Sequence, residues 1–182
     1  MMKRILIDTY DTFGLGNIRR IINIDTYLLG ALPCLSLLII RGSAMIHGFR
    51  IPKGLDYIKL PCLSRTECEG YSAKYLATQT SEILQVRSDL ITSSTLSFKP
   101  DIMLIEKKPY GVKHGLKETF DIVKYSLPST RFILFLRDIM DALETATRVW
   151  RESRYYDAVR SFYDLVLVLI MKRVGSELRY IC

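Results

Sequence analysis

The residues best suited to chemistry form the run D-T-F-G-L-G-N at residues 11–17, which leads from a short apolar segment into a helical pattern. Gly14 and Gly16 allow the backbone to turn tightly and to approach a ligand closely, because glycine has no Cβ. The start of the following helix would offer unpaired N–H groups to an anion. A tight turn without a ligand is the alternative. We expect Gly14 and Gly16 to line a ligand cleft.

This turn matches the common nucleotide-binding motifs poorly. A dinucleotide fingerprint G-x-G-x-x-G needs glycine where the chain has Arg19. The second apolar segment ends at Arg41 rather than at an acidic residue, although an arginine there could accept the 2′-phosphate of NADP. The chain also lacks the G-x-x-x-x-G-K-[ST] pattern. An NADP-binding domain is therefore the weaker alternative.

Charged side chains follow two later apolar segments. Glu106 ends the segment 102–106, and Arg137 and Asp138 follow the segment 131–136. Side chains at the carboxyl ends of parallel strands are well placed to contact a ligand. The alternatives are a salt bridge or helix cap for Arg137 and Asp138, and a solvated loop for the two lysines after Glu106.

Six short apolar segments determine the predicted fold. We predict strands at Arg4–Tyr10, Leu35–Ile40, Asp56–Leu60, Ile102–Glu106, Arg131–Leu136 and Leu165–Leu169. Helical spacing predicts helices over 18–32, 72–98 and 115–125, the first with Asn17 as its N-cap, and one or two helices over 141–162. Strands that alternate with helices predict an α/β fold, with a doubly wound, mostly parallel, Rossmann-like sheet and the first strand near its centre.

Composition narrows the function classes. The chain has 182 residues, of which 49% are hydrophobic and 25% charged, as is typical of one globular domain. The net charge of +7 comes from scattered basic residues without a nucleic-acid-binding motif, so we expect no nucleic-acid partner. Four cysteines without a C-x-x-C pair and two histidines do not form a zinc motif. No apolar run approaches the roughly 18 residues needed to span a bilayer.

Six short runs resemble, in this order, the amino-terminal half of a family of predicted bacterial glycosyltransferases: Y-D-T-F-G-L-G-N-I-R-R (10–20), F-R-I-P-K-G-L-D-Y-I-K-L-P (49–61), R-S-D-L-I (87–91), F-K-P-D (98–101), L-R-D-I (136–139) and Y-D-L-V-L-V (163–168). That family is distantly similar to the lipid-linked N-acetylglucosamine transferases of peptidoglycan synthesis, and so is glycosyltransferase family 28-like. The resemblance implies one half of a GT-B fold, in which two Rossmann-like domains face a cleft and the amino-terminal one generally binds the acceptor.

The resemblance also implies domain limits, a reaction and partners. Residues 1–170 would form the acceptor-side domain, residues 171–182 an unmatched tail, and the carboxy-terminal donor domain would be absent. The implied activity is hexosyl transfer from a nucleotide-sugar to an unknown acceptor, with little turnover by this chain alone and a separately encoded second domain as a partner. The implied location is the cytoplasm, with peripheral contact at the inner face of the membrane left open. A non-catalytic α/β module that binds a nucleotide or a partner protein is the alternative.

The resemblance assigns roles to individual residues. Relatives commonly carry a histidine where this chain has Asn17, and an amide cannot accept a proton near neutral pH. A carboxylate, Asp11 or Asp138, would then act as the catalytic base. The implied substrate-binding residues are Gly14, Gly16, Asn17, Glu106 and Arg137, and neither a metal ion nor an organic cofactor is expected.

Overall fold

A computed structural model of the chain describes residues 3–9, 15–66, 70–137, 143–174 and 177–181. Its strands are β1 (Lys3–Asp8), β2 (Leu35–Arg41), β3 (Leu55–Lys59), β4 (Leu63–Arg65), β5 (Tyr71–Ala73), β6 (Ile102–Glu106), β7 (Arg131–Arg137), β8 (Leu165–Val174) and β9 (Glu177–Ile181). Its helices are α1 (Leu15–Ala31), α2 (Thr80–Phe98), α3 (Lys117–Ser126), α4 (Leu143–Glu152) and α5 (Tyr155–Phe162), with short 3₁₀ turns at Ala44–Gly48 and Val112–His114.

Seven of these strands form one sheet in the order β3-β2-β1-β6-β7-β8-β9. Every neighbouring pair from β3 to β8 is parallel, and β8 and β9 pair antiparallel. The first strand pairs on both sides, with β2 and with β6. The prediction of a doubly wound, mostly parallel sheet with the first strand away from the edge is therefore confirmed.

Two apolar layers cover the two faces of the sheet. Successive residues of a strand point to opposite faces, and Leu6 and Ile7 of β1 accordingly belong to different buried clusters. Leu6 packs in the larger cluster, which includes Ile91 of α2 and Phe120 of α3. Ile7 packs with Ile21 of α1. Burial on both faces explains why the central strands are almost continuously apolar.

All six predicted strands are present, but some boundaries differ. Helix α1 begins at Leu15, so Asn17 lies inside its first turn and the prediction of Asn17 as N-cap is wrong. The predicted helix from residue 72 begins only at Thr80, because Tyr71–Ala73 pairs with Leu63–Arg65 in an antiparallel hairpin. That hairpin was not predicted, since three-residue strands carry almost no periodic signal.

Strand β8 is longer than its sequence pattern indicated. It runs to Val174 and pairs with β9, from Ile170 opposite Ile181 to Val174 opposite Glu177. The helical pattern over 141–162 is two helices, α4 and α5, within the part that the structure describes.

Candidate functional site at the centre of the sheet

The chain changes direction across the sheet between β1 and β6. From β1 it moves outward to β2 and β3, and it then returns to add β6 on the other side of β1. In doubly wound sheets, ligands bind at such a switch point, beyond the carboxyl ends of the strands. Here these ends carry Asp8 and Glu106, the last residues of their strands, and Asp8 lies opposite Ile105 in the register.

Glu106 is held by a buried ion pair. Its carboxylate accepts a hydrogen bond from the Arg20 guanidinium, and the two side chains are 1% and 15% exposed. An ion pair out of water is maintained only with good geometry, and removal of one partner leaves a costly buried charge. This contact therefore fixes the start of α1 against the end of β6, and it gives Glu106 a positioning role beside the switch point.

Thr9 continues β1 past its last ladder pair. Its backbone N–H donates to the Ile40 carbonyl at 3.2 Å, and its hydroxyl donates to the same oxygen at 3.4 Å. Both Asp8 and Thr9 are buried. A carboxylate and a hydroxyl are thus buried at consecutive positions where the central strand ends.

A small cavity of about 20 Å³ lies against these residues. Its polar lining comes from Asp8, Thr9, Arg87 and Ser88, and its apolar lining includes Ile91. A cavity of this size admits a water molecule or a single hydroxyl group. Any larger ligand must therefore lie outside it and reach in with one polar group.

Helix α2 contributes Arg87 and Ser88 to the lining of this cavity. Arg87 and Ile91 are four residues apart on the buried face of the helix, and the Arg87 guanidinium donates to the Pro61 carbonyl at 2.6 Å. Asp89, between them in sequence, is exposed and accepts a hydrogen bond from Gln85 at 2.9 Å. The run R-S-D-L-I therefore has a cavity side and a solvent side.

The loop after β6 is anchored by Tyr163, which lies between α5 and β8 and packs in the same cluster as α2 and α3. The Tyr163 hydroxyl donates to the Pro109 carbonyl at 2.6 Å. Burial, and then the nearby charge of Asp8, raises the pKa of Tyr163 well above its ordinary value. Tyr163 therefore stays a neutral hydrogen-bond donor, and it joins the start of β8 to the rim of the switch point.

The structure describes only some of the predicted site residues. Asp11, Gly14 and Asp138 lie outside the described residues, as do the side chains of Asn17 and Arg137. The backbone of Arg137 ends β7, the strand next to β6. Gly16 lies in the first turn of α1, exposed, and a Cβ there would meet nothing within 4 Å. Of the predicted set, Glu106 is the residue whose side chain the described part of the chain places at the switch point.

Arg41, considered above as a contact to a 2′-phosphate, takes another position. Arg41 ends β2, but it is only 2% exposed and forms part of the protein interior. A buried guanidinium cannot receive the 2′-phosphate of NADP, so this argues against the dinucleotide alternative. His47 is exposed, and its Nδ1 lies 2.6 Å from the Tyr57 hydroxyl.

Sequence reasoning missed the residues that line the cavity, namely Asp8, Thr9, Arg87 and Ser88, and the ion-pair partner Arg20. Asp8 lies inside the first predicted strand, Arg4–Tyr10, and only the observed end of β1 at that residue places it beside the switch point. Nothing in the sequence indicates which face of α2 meets that strand.

Comparison with solved structures places the chain among Rossmann-like α/β proteins. A glycosyltransferase from Rickettsia africae ESF-5 superposes with a TM-score of 0.51 at 9% identity, over 91% of this chain and 42% of that one. TubZ from the Clostridium botulinum phage c-st superposes with a TM-score of 0.53 at 15% identity, over 93% and 52%. UGT2 from Phytolacca americana, solved with UDP-2fluoro-glucose and pterostilbene, gives a TM-score of 0.48 at 10% identity, over 76% and 31%. The chain thus spans between about a third and about a half of these proteins.

At such low identity the likeness concerns the fold alone. No protein-family model matches the chain, and no curated protein matches its sequence. Within the described ranges, no helix is long and apolar enough to cross a membrane. Over the same ranges, no group of three or more His, Cys, Asp or Glu side chains is arranged to hold a metal ion. The chain has a Rossmann-like α/β fold that glycosyltransferases share.

Proposed function

We propose that this chain is the acceptor-side half of a GT-B glycosyltransferase of the family 28-like type, which transfers a hexosyl group from a nucleotide-sugar to an acceptor hydroxyl. The observation that carries the proposal is the polar cavity beyond the carboxyl end of β1, lined by Asp8, Thr9 and Ser88. It offers hydrogen-bonding partners for one hydroxyl at the place where this fold binds ligands.

The chemistry requires one proton acceptor and one stabilised leaving group. The acceptor oxygen attacks the anomeric carbon, the bond from that carbon to the nucleoside diphosphate breaks, and the hydroxyl proton passes to a carboxylate. We keep Asp11 and Asp138 as the proposed bases, since in the sequence each comes shortly after a strand of the parallel sheet, β1 and β7 respectively. Asp8 accepts a hydrogen bond from the acceptor hydroxyl and orients it. Gly14, Gly16, Asn17 and Arg137 remain proposed contacts to the substrate.

The donor would be held by a second domain. The resemblance supports residues 1–170 as the acceptor-side domain. Transfer needs donor and acceptor in one cleft, and this positioning contributes roughly 7 to 11 kcal/mol to lowering a bimolecular barrier. We therefore expect no measurable transfer by this chain alone, and transfer when a donor-binding domain is supplied.

A labelled nucleotide-sugar assay tests the proposal. The chain is incubated with lipid and small-sugar acceptors, alone and together with a separately expressed donor-binding domain of a GT-B glycosyltransferase. We expect labelled product in the combined reaction and none from either part. Robust turnover by the isolated chain would refute the half-enzyme proposal. Calorimetric binding of a nucleotide without turnover in any combination would favour the non-catalytic module instead.

A further inference from the structure

The first half of β8 has one open edge. Strand β7 pairs with Leu165–Leu169 on one side. Strand β9 lies on the other side of β8, but it pairs only with the second half, from Ile170 to Val174. Beside the outer edge of Leu165–Leu169, the part of the chain that the structure describes therefore supplies no strand. We call Leu165–Leu169 the open segment.

Strand alternation determines which backbone groups face the open edge. The backbone N–H of Asp164 donates to the Phe132 carbonyl at 2.9 Å, so the backbone groups of this residue point towards β7. The backbone groups of successive strand residues point to alternate sides. Those of Leu165, Leu167 and Leu169 therefore point away from β7. A row of unpaired N–H and C=O groups at a sheet edge is a template for a further strand.

The opposite edge of the sheet, β3, is protected against such pairing. Its five residues include Asp56 and Lys59, which are both exposed, and the Asp56 carboxylate accepts the backbone N–H of Tyr57 at 2.8 Å. Charged side chains on an edge strand discourage the addition of another strand. The open segment, L-V-L-V-L, contains no charged residue, and its first four side chains are 36–50% exposed. It therefore lacks the protection that β3 has.

The open segment is complementary to itself. In an antiparallel pair, residues whose backbone groups face the partner strand lie directly opposite one another. Leu165, Leu167 and Leu169 of two copies would therefore meet only one another. Val166 and Val168 would likewise meet only valines, whatever the register. Apolar side chains directly opposite one another stabilise a strand pair, and a two-fold axis requires one surface to fit itself.

We propose that the open segment of β8 pairs antiparallel with the same segment of a second copy of this chain, so that two sheets join at a two-fold axis. Strand β9 already pairs antiparallel on this side of β8, and the second copy continues that arrangement along the first half. The added strand also gives neighbours to side chains that are exposed on both faces.

The proposed dimer is weak and independent of sugar transfer. The segment has five residues per copy, and small interfaces belong to transient complexes, so we expect a dissociation constant of about 10–100 µM. At low micromolar concentration the chain is then mainly monomeric. Because the pairing uses no residue of the switch-point site, it stands or falls separately from the proposed function.

Sedimentation equilibrium and amide exchange test the proposal on the full chain. Sedimentation from well below to well above the expected dissociation constant should show a monomer–dimer equilibrium. A monomer throughout would overturn the proposal, and so would species larger than a dimer, because two-fold pairing uses up the open edge.

Amide hydrogen exchange, followed by NMR, locates the contact. The N–H groups of Leu165, Leu167 and Leu169 should exchange more slowly at high than at low protein concentration, because the second copy accepts their hydrogen bonds. Those of Val166 and Val168 should change less, since they already bond to β7. Concentration-dependent protection confined to other parts of the chain would place the dimer contact elsewhere and contradict the proposal.

Matched variants compare two leucines of similar exposure. Leu167 in β8 is 41% exposed, and Leu90 on α2 is 38% exposed. Leu167→Lys should weaken dimerisation at least about tenfold, because like charges then face each other across the strand pair. Leu90→Lys should leave the dissociation constant unchanged. Equal dissociation constants for the two variants would exclude β8 as the contact.

Leu167→Pro provides a second variant that acts on the backbone alone. Proline removes an N–H that points away from β7, and such a position on an edge strand tolerates proline. This variant should also lose the dimer while keeping the far-ultraviolet circular dichroism of the wild type. A folded Leu167→Pro variant that dimerises like the wild type would contradict strand pairing.

A last arm distinguishes a second copy from another domain as the occupant of this edge. Amide exchange is repeated at low concentration, where the chain is monomeric, with a donor-binding domain of a GT-B glycosyltransferase added. Unchanged exchange at Leu165, Leu167 and Leu169 supports the second copy. Protection of these residues by the added domain would assign the edge to that domain and overturn the proposal.

Discussion

Strand β1, in the interior of the sheet, and strand β8, next to its last strand, are both apolar but differ in what covers them. In β1, Leu6 is fully buried and Ile7 is 2% exposed. In β8, the four consecutive residues Leu165, Val166, Leu167 and Val168 are 36–50% exposed, so neither face is fully covered. The two strands read alike in sequence because each is a short, unbroken apolar run.

This difference teaches that an apolar run specifies a strand but not its burial. Burial depends on helices that pack from elsewhere in the chain, and α1, α2 and α3 all contribute to the layers over the centre. The polar groups of the candidate site occupy this covered centre, where a low dielectric strengthens their contacts.

The largest effect is expected from a matched pair of side-chain truncations on neighbouring strands. Leu134 of β7 is fully buried, whereas Leu167 of β8 is 41% exposed. We expect Leu134→Ala to lower the free energy of unfolding by about 3–5 kcal/mol, because it leaves a cavity in a packed core. Leu167→Ala should cost below about 1 kcal/mol. Urea unfolding of both variants measures the difference.

Equal costs for the two substitutions would contradict the comparison. They would mean that β8 is as tightly packed in solution as the centre of the sheet. A change in the urea m-value of one variant alone would instead indicate altered compactness rather than a lost contact.

The second effect concerns a carboxyl group in the covered centre. Asp25 lies on α1 one turn after Ile21, is fully buried, and has no hydrogen-bond partner for either oxygen within the described residues. Desolvation raises its pKa to about 7. The folded chain therefore keeps the Asp25 proton up to about pH 7, whereas the unfolded chain loses it near pH 4.

Stability should consequently fall as the pH rises through this window. From pH 5 to pH 8, Asp25 should remove about 3 kcal/mol from the free energy of unfolding, since about two pH units separate pH 5 from its folded pKa. His114, whose pKa is lowered, acts in the opposite direction over part of the range. Urea unfolding of the wild type and of Asp25→Asn at both pH values isolates the contribution, and parallel pH dependence in the two proteins would exclude it.

The fold was predictable from the sequence because its main elements have strong local signals. The six parallel strands are apolar runs bounded by turns, and α1 has a clear helical spacing. The hairpin β4–β5 was missed because tertiary pairing, including the 2.7 Å contact between the Ser64 and Ser72 hydroxyls, overrides the pattern that suggested a helix.

The candidate site was predictable only in part. Strand ends predicted a site at one edge of the sheet, and the structure places Glu106 at that edge. Its contact with Arg20 depends on how α1 lies across the sheet, and the cavity depends on which face of α2 turns inward. Both features depend on contacts between residues far apart in the chain. Local patterns in a single sequence do not predict such contacts.

The most direct test of a functional centre is a paired substitution of two aspartates, assayed with the donor-binding domain present. Asp8 lines the central cavity, and Asp89 faces solvent on α2. We expect Asp8→Asn to lower kcat/KM about thirtyfold, or about 2 kcal/mol, because a charge-assisted hydrogen bond to the acceptor hydroxyl is weakened. Asp89→Asn should leave kcat/KM unchanged. Equal kcat/KM values for Asp8→Asn and the wild type would contradict the assignment of the acceptor to the centre of the sheet.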